Sequence, residues 1–202
     1  MNGQKWRCLL VAEIIAKFEP EAIVETGTFL GQTTEWLAAF QSPIYSCEYS
    51  EENFGFAKER LKLFNNINLL LGDSRIALRA FLEGPLAQQR DSRLLFYLDA
   101  HWGEDLPLAE EVELIFSTCS NALVLIDDFQ VIEDEGYGFD DYGPGKALTL
   151  EYLADTIRRF NLAVRFPSIG SSDETGAKRG CVLLCSKENE PSITNISLLR
   201  SY

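Results

Sequence analysis

Five short apolar runs, residues 22–26, 44–48, 67–71, 94–99 and 122–127, each stop at an acidic residue or within two positions of one. Runs of this length suit strands buried on both faces. Stretches with helical spacing, residues 32–41, 51–64, 74–88 and 107–118, lie between them. The alternation predicts an α/β fold with a doubly wound, mostly parallel sheet and helices on both sides. Right-handed crossovers then bring every strand's C-terminal end to one edge, where such sheets bind ligands. Glu25, Glu48, Asp73, Asp99, Asp127 and Asp128 are expected to gather there.

The last third reads differently. Residues 146–159 suit a helix, and "NLAVRF" and "RGCVLLC" suit two strands separated by the polar "PSIGSSDETGAK". A long hairpin is the simplest connection, so the final strand is expected to run antiparallel. Residues 129–145, rich in Gly, Asp and Tyr, read as a loop at the active site, with Tyr137, Phe139 and Tyr142 facing the substrate; a disordered insertion is the alternative. Residues 1–20 suit an amphipathic helix packed on the domain or on a second copy in a homodimer. With 202 residues, the chain is expected to form one domain over 1–202.

Net charge −13 disfavours nucleic acid and anionic membrane surfaces as partners and leaves a small-molecule substrate. No apolar run is long enough to cross a bilayer, and the N-terminus reads as lacking a signal peptide. Five cysteines without a CxxC pair suggest reduced, buried thiols in a cytoplasmic protein. Between Arg93 and Lys146 thirteen acidic residues occur without a Lys or Arg. Glu110, Glu111 and Glu113 among them suit a solvated helix face; a cationic substrate is another explanation.

The turn after the first run, "VETGTFLG", places Gly27 and Gly31 where backbone can approach a ligand. Phe29 stands where a dinucleotide fingerprint needs its second glycine, and no phosphate-binding loop is present. A positively charged cofactor without phosphates suits this acidic edge better.

"VETGTFLGQTT", "IYSCEYS", "LLLGDSRIAL", "LFYLDAHW" and "LVLIDDF" resemble, in order, the motifs of class I S-adenosylmethionine-dependent methyltransferases. The resemblance implies a seven-stranded Rossmann-like sheet and S-adenosyl-L-methionine as cofactor. Glu48 would hold the ribose hydroxyls. Glu25, Thr26, Gly27, Thr28 and Gly31 would lie at the methionine part, Asp73 and Ser74 at the adenine, and Asp99 at the reactive sulfonium. Asp73 could instead simply cap the next helix.

"LDAHW" with "IDDF" is most similar to the metal-dependent O-methyltransferases that modify sugar and coumarin hydroxyls of antibiotics. That resemblance implies Mg²⁺ held by Asp99, Asp127 and Asp128. His101, the sole histidine, stands where that subgroup has an acid; it is a candidate general base, with positioning or packing as the alternative. The expected activity is methyl transfer to a small-molecule hydroxyl with Mg²⁺ assistance. The alternatives are a metal-free N- or carboxyl-methyltransferase and a non-catalytic S-adenosylmethionine-binding protein.

Overall fold

A computed structural model describes residues 1–100 and 105–202. In chain order the helices and strands are α1 (Lys5–Phe18), β1 (Ala22–Thr26), α2 (Gln32–Ala38), β2 (Ile44–Glu48), α3 (Glu51–Leu61), β3 (Ile67–Leu71), α4 (Ser74–Glu83) and β4 (Leu94–Leu98). They continue with α5 (Leu108–Thr118), β5 (Ala122–Asp127), α6 (Ala154–Arg159), β6 (Leu162–Pro167), β7 (Cys181–Ser186) and β8 (Leu199–Ser201). The fold is α/β, and the described residues include eight strands rather than seven; β8 is the addition. The chain packs as two compact units, Pro20–Ala122 and Met1–Glu19 with Leu123–Tyr202.

In the Pro20–Ala122 unit the strand order is β3-β2-β1-β4, and all pairings are parallel. Thr26 lies opposite Cys47 on one side and Leu98 on the other. The register therefore ends β1, β2 and β4 at one level, which sets the Gly27 turn, Glu48 and Asp99 along one edge. β1 and β4 are buried throughout, whereas β3 is the exposed margin and leaves Leu71 42% accessible.

Two helices start where a side chain satisfies a free backbone N–H group. Ser50 accepts from the Asn53 amide at the start of α3, and Asp73 accepts from the Arg75 amide at the start of α4. Glu51 and Glu52 in the first turn of α3, with Lys58 and Arg60 in its last, also match the helix dipole. The fourth helix stops at Gly84, short of the expected residue 88.

The second unit has the strand order β5-β7-β6-β8, with antiparallel pairing throughout. The expected hairpin is present as β6 and β7. The expected 146–159 helix is shortened to α6 because the Leu148 amide donates to the Asp140 carbonyl instead of continuing a helical ladder. α1 packs inside this unit, burying Arg7, Leu10, Val11, Ile14, Ile15 and Phe18. Glu13 accepts the Ser197 and Leu198 amides at 2.8 and 3.1 Å and ties α1 to the C-terminal segment. All five cysteines are free thiols, and four are buried. Among the described residues no helix is long and apolar enough to cross a membrane.

The charged member of the α1 face, Arg7, donates to Asp127 at the end of β5, with side chains only 2% and 1% accessible. Removing one partner of such a pair strands a buried charge. Arg7→Met is therefore expected to lower unfolding stability by about 3–5 kcal/mol in urea denaturation, and Arg7→Met/Asp127→Leu to recover much of that loss.

Candidate active site

The turn after β1 is held from several directions. Gly27 takes φ 83°, and a Cβ there would lie 2.3 Å from the Asp99 carbonyl oxygen, so only glycine fits. The Gly27 and Thr28 amides both donate to the Cys47 carbonyl at 3.0 Å. Phe29 adopts a left-handed φ of 49°, costly for a bulky side chain, and its amide donates to Glu48 Oε2 at 2.7 Å. The Ser50 amide donates to the other oxygen, Oε1, at 2.8 Å. Glu48, 5% accessible, thus has each carboxylate oxygen fixed by one backbone donor.

A cleft of about 420 Å³ opens beside this turn. Of the expected cofactor residues, Gly27, Glu48, Asp73 and Ser74 line it. Tyr49, Ser50, Asn53, Gly72 and Arg75 complete the side formed by the ends of β2 and β3, and Ala100, Asp105 and Pro107 the side leading into α5. Glu25, Thr26 and Thr28 do not reach this lining; they are buried. Gly31 begins α2 with φ 79° and packs on α3, where a Cβ would meet Leu61 at 3.2 Å. Asp99 stands at the end of β4, half-buried, with its amide donating to the Thr26 carbonyl at 3.0 Å. His101 and Trp102 lie outside the described residues.

Asp73 caps α4 and also pairs with Arg75 at 2.6 Å, which holds its carboxyl below the ordinary range. The capping interpretation thus holds alongside its place in the cleft wall. Arg75 was not anticipated. It donates to Asp73, Asp105 and Glu110, so one cation joins the start of α4 to the segment entering α5 and to α5 itself. Its position directly after "GDS" was the available signal.

Two buried carboxyls flank β1. Glu25 Oε2 accepts from Thr34 at 2.5 Å and Ser46 at 2.6 Å; burial nevertheless raises its pKa to about 7. Glu111 corrects the expectation of a solvated α5 face, because it is fully buried. It occupies the inward stripe with Leu108, Val112 and Ile115. Burial raises its pKa to about 7 as well, against the opposing influence of the Ser74 and Thr26 hydroxyls.

In the other unit the β5 acids have cationic partners. Asp127 Oδ1 accepts from Arg7 and from the Asp128 amide, the latter at 2.9 Å. Asp128 accepts from Arg179 Nε at 2.7 Å, and Arg179 also donates to Asp140. Burial followed by the Asp127 charge raises Asp128 to about 6 despite Arg179. A hard divalent ion needs several carboxylate oxygens turned toward one point. Here guanidinium groups already supply the counter-charge, and among the described residues no group of three acidic, His or Cys side chains is arranged to hold a metal. Asp127 and Asp128 in this arrangement do not fit the expected Mg²⁺.

The 129–145 segment is packed rather than open. Tyr137 is 4% accessible and donates from its hydroxyl to the Ile169 carbonyl at 3.0 Å, so it does not face a substrate. Tyr142 donates to Asp140 at 2.5 Å, and Asp134 accepts from the Ser171 amide and hydroxyl at 2.7 and 2.5 Å. Phe139 is half-buried.

No protein-family model and no curated protein matches the chain. Solved structures do share its fold. The O-methyltransferase TomG from Streptomyces achromogenes, involved in tomaymycin synthesis and solved with S-adenosylmethionine, is 17% identical with a TM-score of 0.63, over 89% of this chain and 78% of that one. The O-methyltransferase from Bacillus cereus solved with S-adenosylhomocysteine is 14% identical with a TM-score of 0.61, over 89% and 80%. The methyltransferase domain of bacterial CtHen1-C is 14% identical with a TM-score of 0.58, over 90% and 97%. The chain therefore has the α/β fold of these methyltransferases, with the antiparallel hairpin expected near its C-terminus.

Two predictions follow from the buried acids. Glu25 has a raised pKa, so the native state binds more protons than the unfolded chain between the ordinary value of 4.5 and about 7. Its contribution to unfolding stability thus declines as pH rises through that window, by at most about 1.4 kcal/mol per pH unit, and levels off above it. Urea denaturation of wild type and Glu25→Gln across the window should show wild type losing stability relative to the variant. Millimolar Mg²⁺ or Mn²⁺ should show no saturable binding in calorimetry that depends on Asp128; a site lost in Asp128→Asn would contradict the pairing with Arg179.

Proposed function

We propose that the protein transfers a methyl group from S-adenosylmethionine to a hydroxyl of a small molecule. The observation that carries this reading is Glu48. Each of its oxygens accepts one backbone N–H and keeps lone-pair capacity, the arrangement suited to adjacent hydroxyls of a ribose. The Gly27 turn, Asp73 and Ser74 line the same cleft. The residues present fit this cofactor, and the acidic surroundings suit its cationic sulfonium.

When bound, S-adenosylmethionine supplies an already activated methyl group, so the chain's work is to bind, orient and exclude water. The turn fixed by Cys47 and Glu48 would give the ligand a rigid floor. Arg75 would hold the Asp105 side of the cleft against the start of α4. The choice of a hydroxyl acceptor is supported by likeness to solved O-methyltransferases. Pairing of Asp127 and Asp128 with arginines favours a transfer without Mg²⁺. Within this reading His101, two residues past Asp99, takes the acceptor proton; that role rests on its place in the sequence.

Calorimetry with S-adenosylhomocysteine tests the cofactor assignment. Wild type is expected to bind it, and Glu48→Ala to bind about 10–100-fold more weakly, the loss expected for hydrogen bonds to a charged group. A folded wild-type protein that does not bind S-adenosylhomocysteine would overturn the proposal.

A further inference from the structure

Near the cleft, three buried oxygens have no well-aligned hydrogen-bond partner among the described residues: Thr26 Oγ1 and both carboxyl oxygens of Glu111. Thr26 and Glu111 are both 0% accessible, so water does not reach them from outside. The Thr26 and Ser74 hydroxyls lie beside the carboxyl and favour its ionised form, without a well-aligned hydrogen bond in this conformation. Ser74 is also part of the cleft lining. The unsatisfied carboxyl is therefore one side chain removed from the ligand space.

We propose that Glu111 is a positioning residue of the cofactor cleft, setting through the Ser74 hydroxyl whether the cleft wall presents a hydrogen-bond donor or an acceptor. The inference rests on the cofactor assignment above. An ionised carboxylate only accepts hydrogen bonds. Ser74 then turns its proton inward and offers lone pairs to the cleft. A neutral carboxyl can donate to Ser74, whose own proton is released toward the ligand. Thr26 serves the remaining carboxyl oxygen in either state. A modest side-chain adjustment closes these contacts.

Other charges act on the same carboxyl. Asp73 disfavours its ionisation and Arg75 favours it, both at the start of α4. Cys47 faces it from β2, with a thiol pushed up first by burial and then by Glu111 itself. Burial prevails, and Glu111 is held at about 7, where both forms are populated near neutral pH. A ligand filling the cleft displaces water and presents adenine ring nitrogens, which accept hydrogen bonds. Both effects favour the neutral, donor-presenting state, so ligand binding takes up a proton.

The test is calorimetric titration of the full chain with S-adenosylhomocysteine, which lacks the sulfonium charge, at about pH 6 and about pH 8.5 in buffers of different ionisation enthalpy. Wild type is expected to bind about three- to tenfold more tightly at the lower pH, with measurable proton uptake. Glu111→Gln, neutral at both pH values, should bind with little pH dependence and near the low-pH wild-type affinity. Ser74→Ala removes the relay at the cleft wall without emptying the buried position and should also flatten the dependence; it keeps the test decisive if Glu111→Gln does not fold. A carboxyl with a purely structural role would alter stability with pH but leave ligand-linked proton uptake at zero. Wild-type affinity independent of pH, or an unchanged slope in Glu111→Gln or Ser74→Ala, would overturn the inference while leaving the cofactor assignment intact. Absence of binding at either pH would overturn both.

Discussion

The carboxyl of Glu25 is the interaction on which the cleft depends. Its Oε2 accepts from Thr34 on α2 and from Ser46 on β2, and Ser46 in turn lies 2.6 Å from the Thr28 hydroxyl. One buried acid thus joins β1, the turn, the following helix and the neighbouring strand. Leaving a buried group of this kind unsatisfied costs about 1–3 kcal/mol, so these elements are constrained to move together. The shape of the Gly27 turn, and the Phe29 amide it delivers to Glu48, follow from that constraint.

The strands of the Pro20–Ala122 unit were legible because each is a short apolar run whose ends the parallel register brings together. β1, β2 and β3 begin and end at the expected residues, and β4 stops one residue early. Glu48, Asp73 and the Gly27 turn were visible for the same reason: strand ends are marked by the first polar residue after an apolar run. Residues contributed by the face of a later helix were less visible. Glu111 was hidden by its charge, although its spacing from Leu108 and Ile115 places it on the buried stripe. β8, three residues long, carries no apolar alternation of its own and exists because β6 offers it an edge.

Arg7 shows the same effect. It shares a stripe with Val11, Ile14 and Phe18, and that spacing indicates burial whatever the side chain. A buried arginine then requires an acid, and Asp127 is the residue it reaches. From sequence, the family resemblance implied Mg²⁺ at Asp99, Asp127 and Asp128. In the structure the two β5 acids pair instead with Arg7, 120 positions from Asp127, and Arg179, 51 from Asp128. Long-range pairings leave no periodic trace, whereas adjacent acids are conspicuous. The protein's own guanidinium groups supply the counter-charge for Asp127 and Asp128.

Alternation along β1 gives Glu25 and Thr26 opposite faces of the sheet, and the two faces handle a buried carboxyl differently. On Glu25's face the acid has two hydroxyl donors on one oxygen, both from within the fold. On Thr26's face, Glu111 has a similarly raised pKa, but among the described residues neither oxygen has a well-aligned hydrogen-bond partner. Equal burial therefore does not give these acids equal roles. A satisfied carboxyl resists change, since a new contact must displace an existing one. An unsatisfied carboxyl beside a cleft residue still has interaction energy to gain when a ligand reorganises that residue. The difference between the two sides of one strand places rigidity at Glu25 and leaves responsiveness to Glu111.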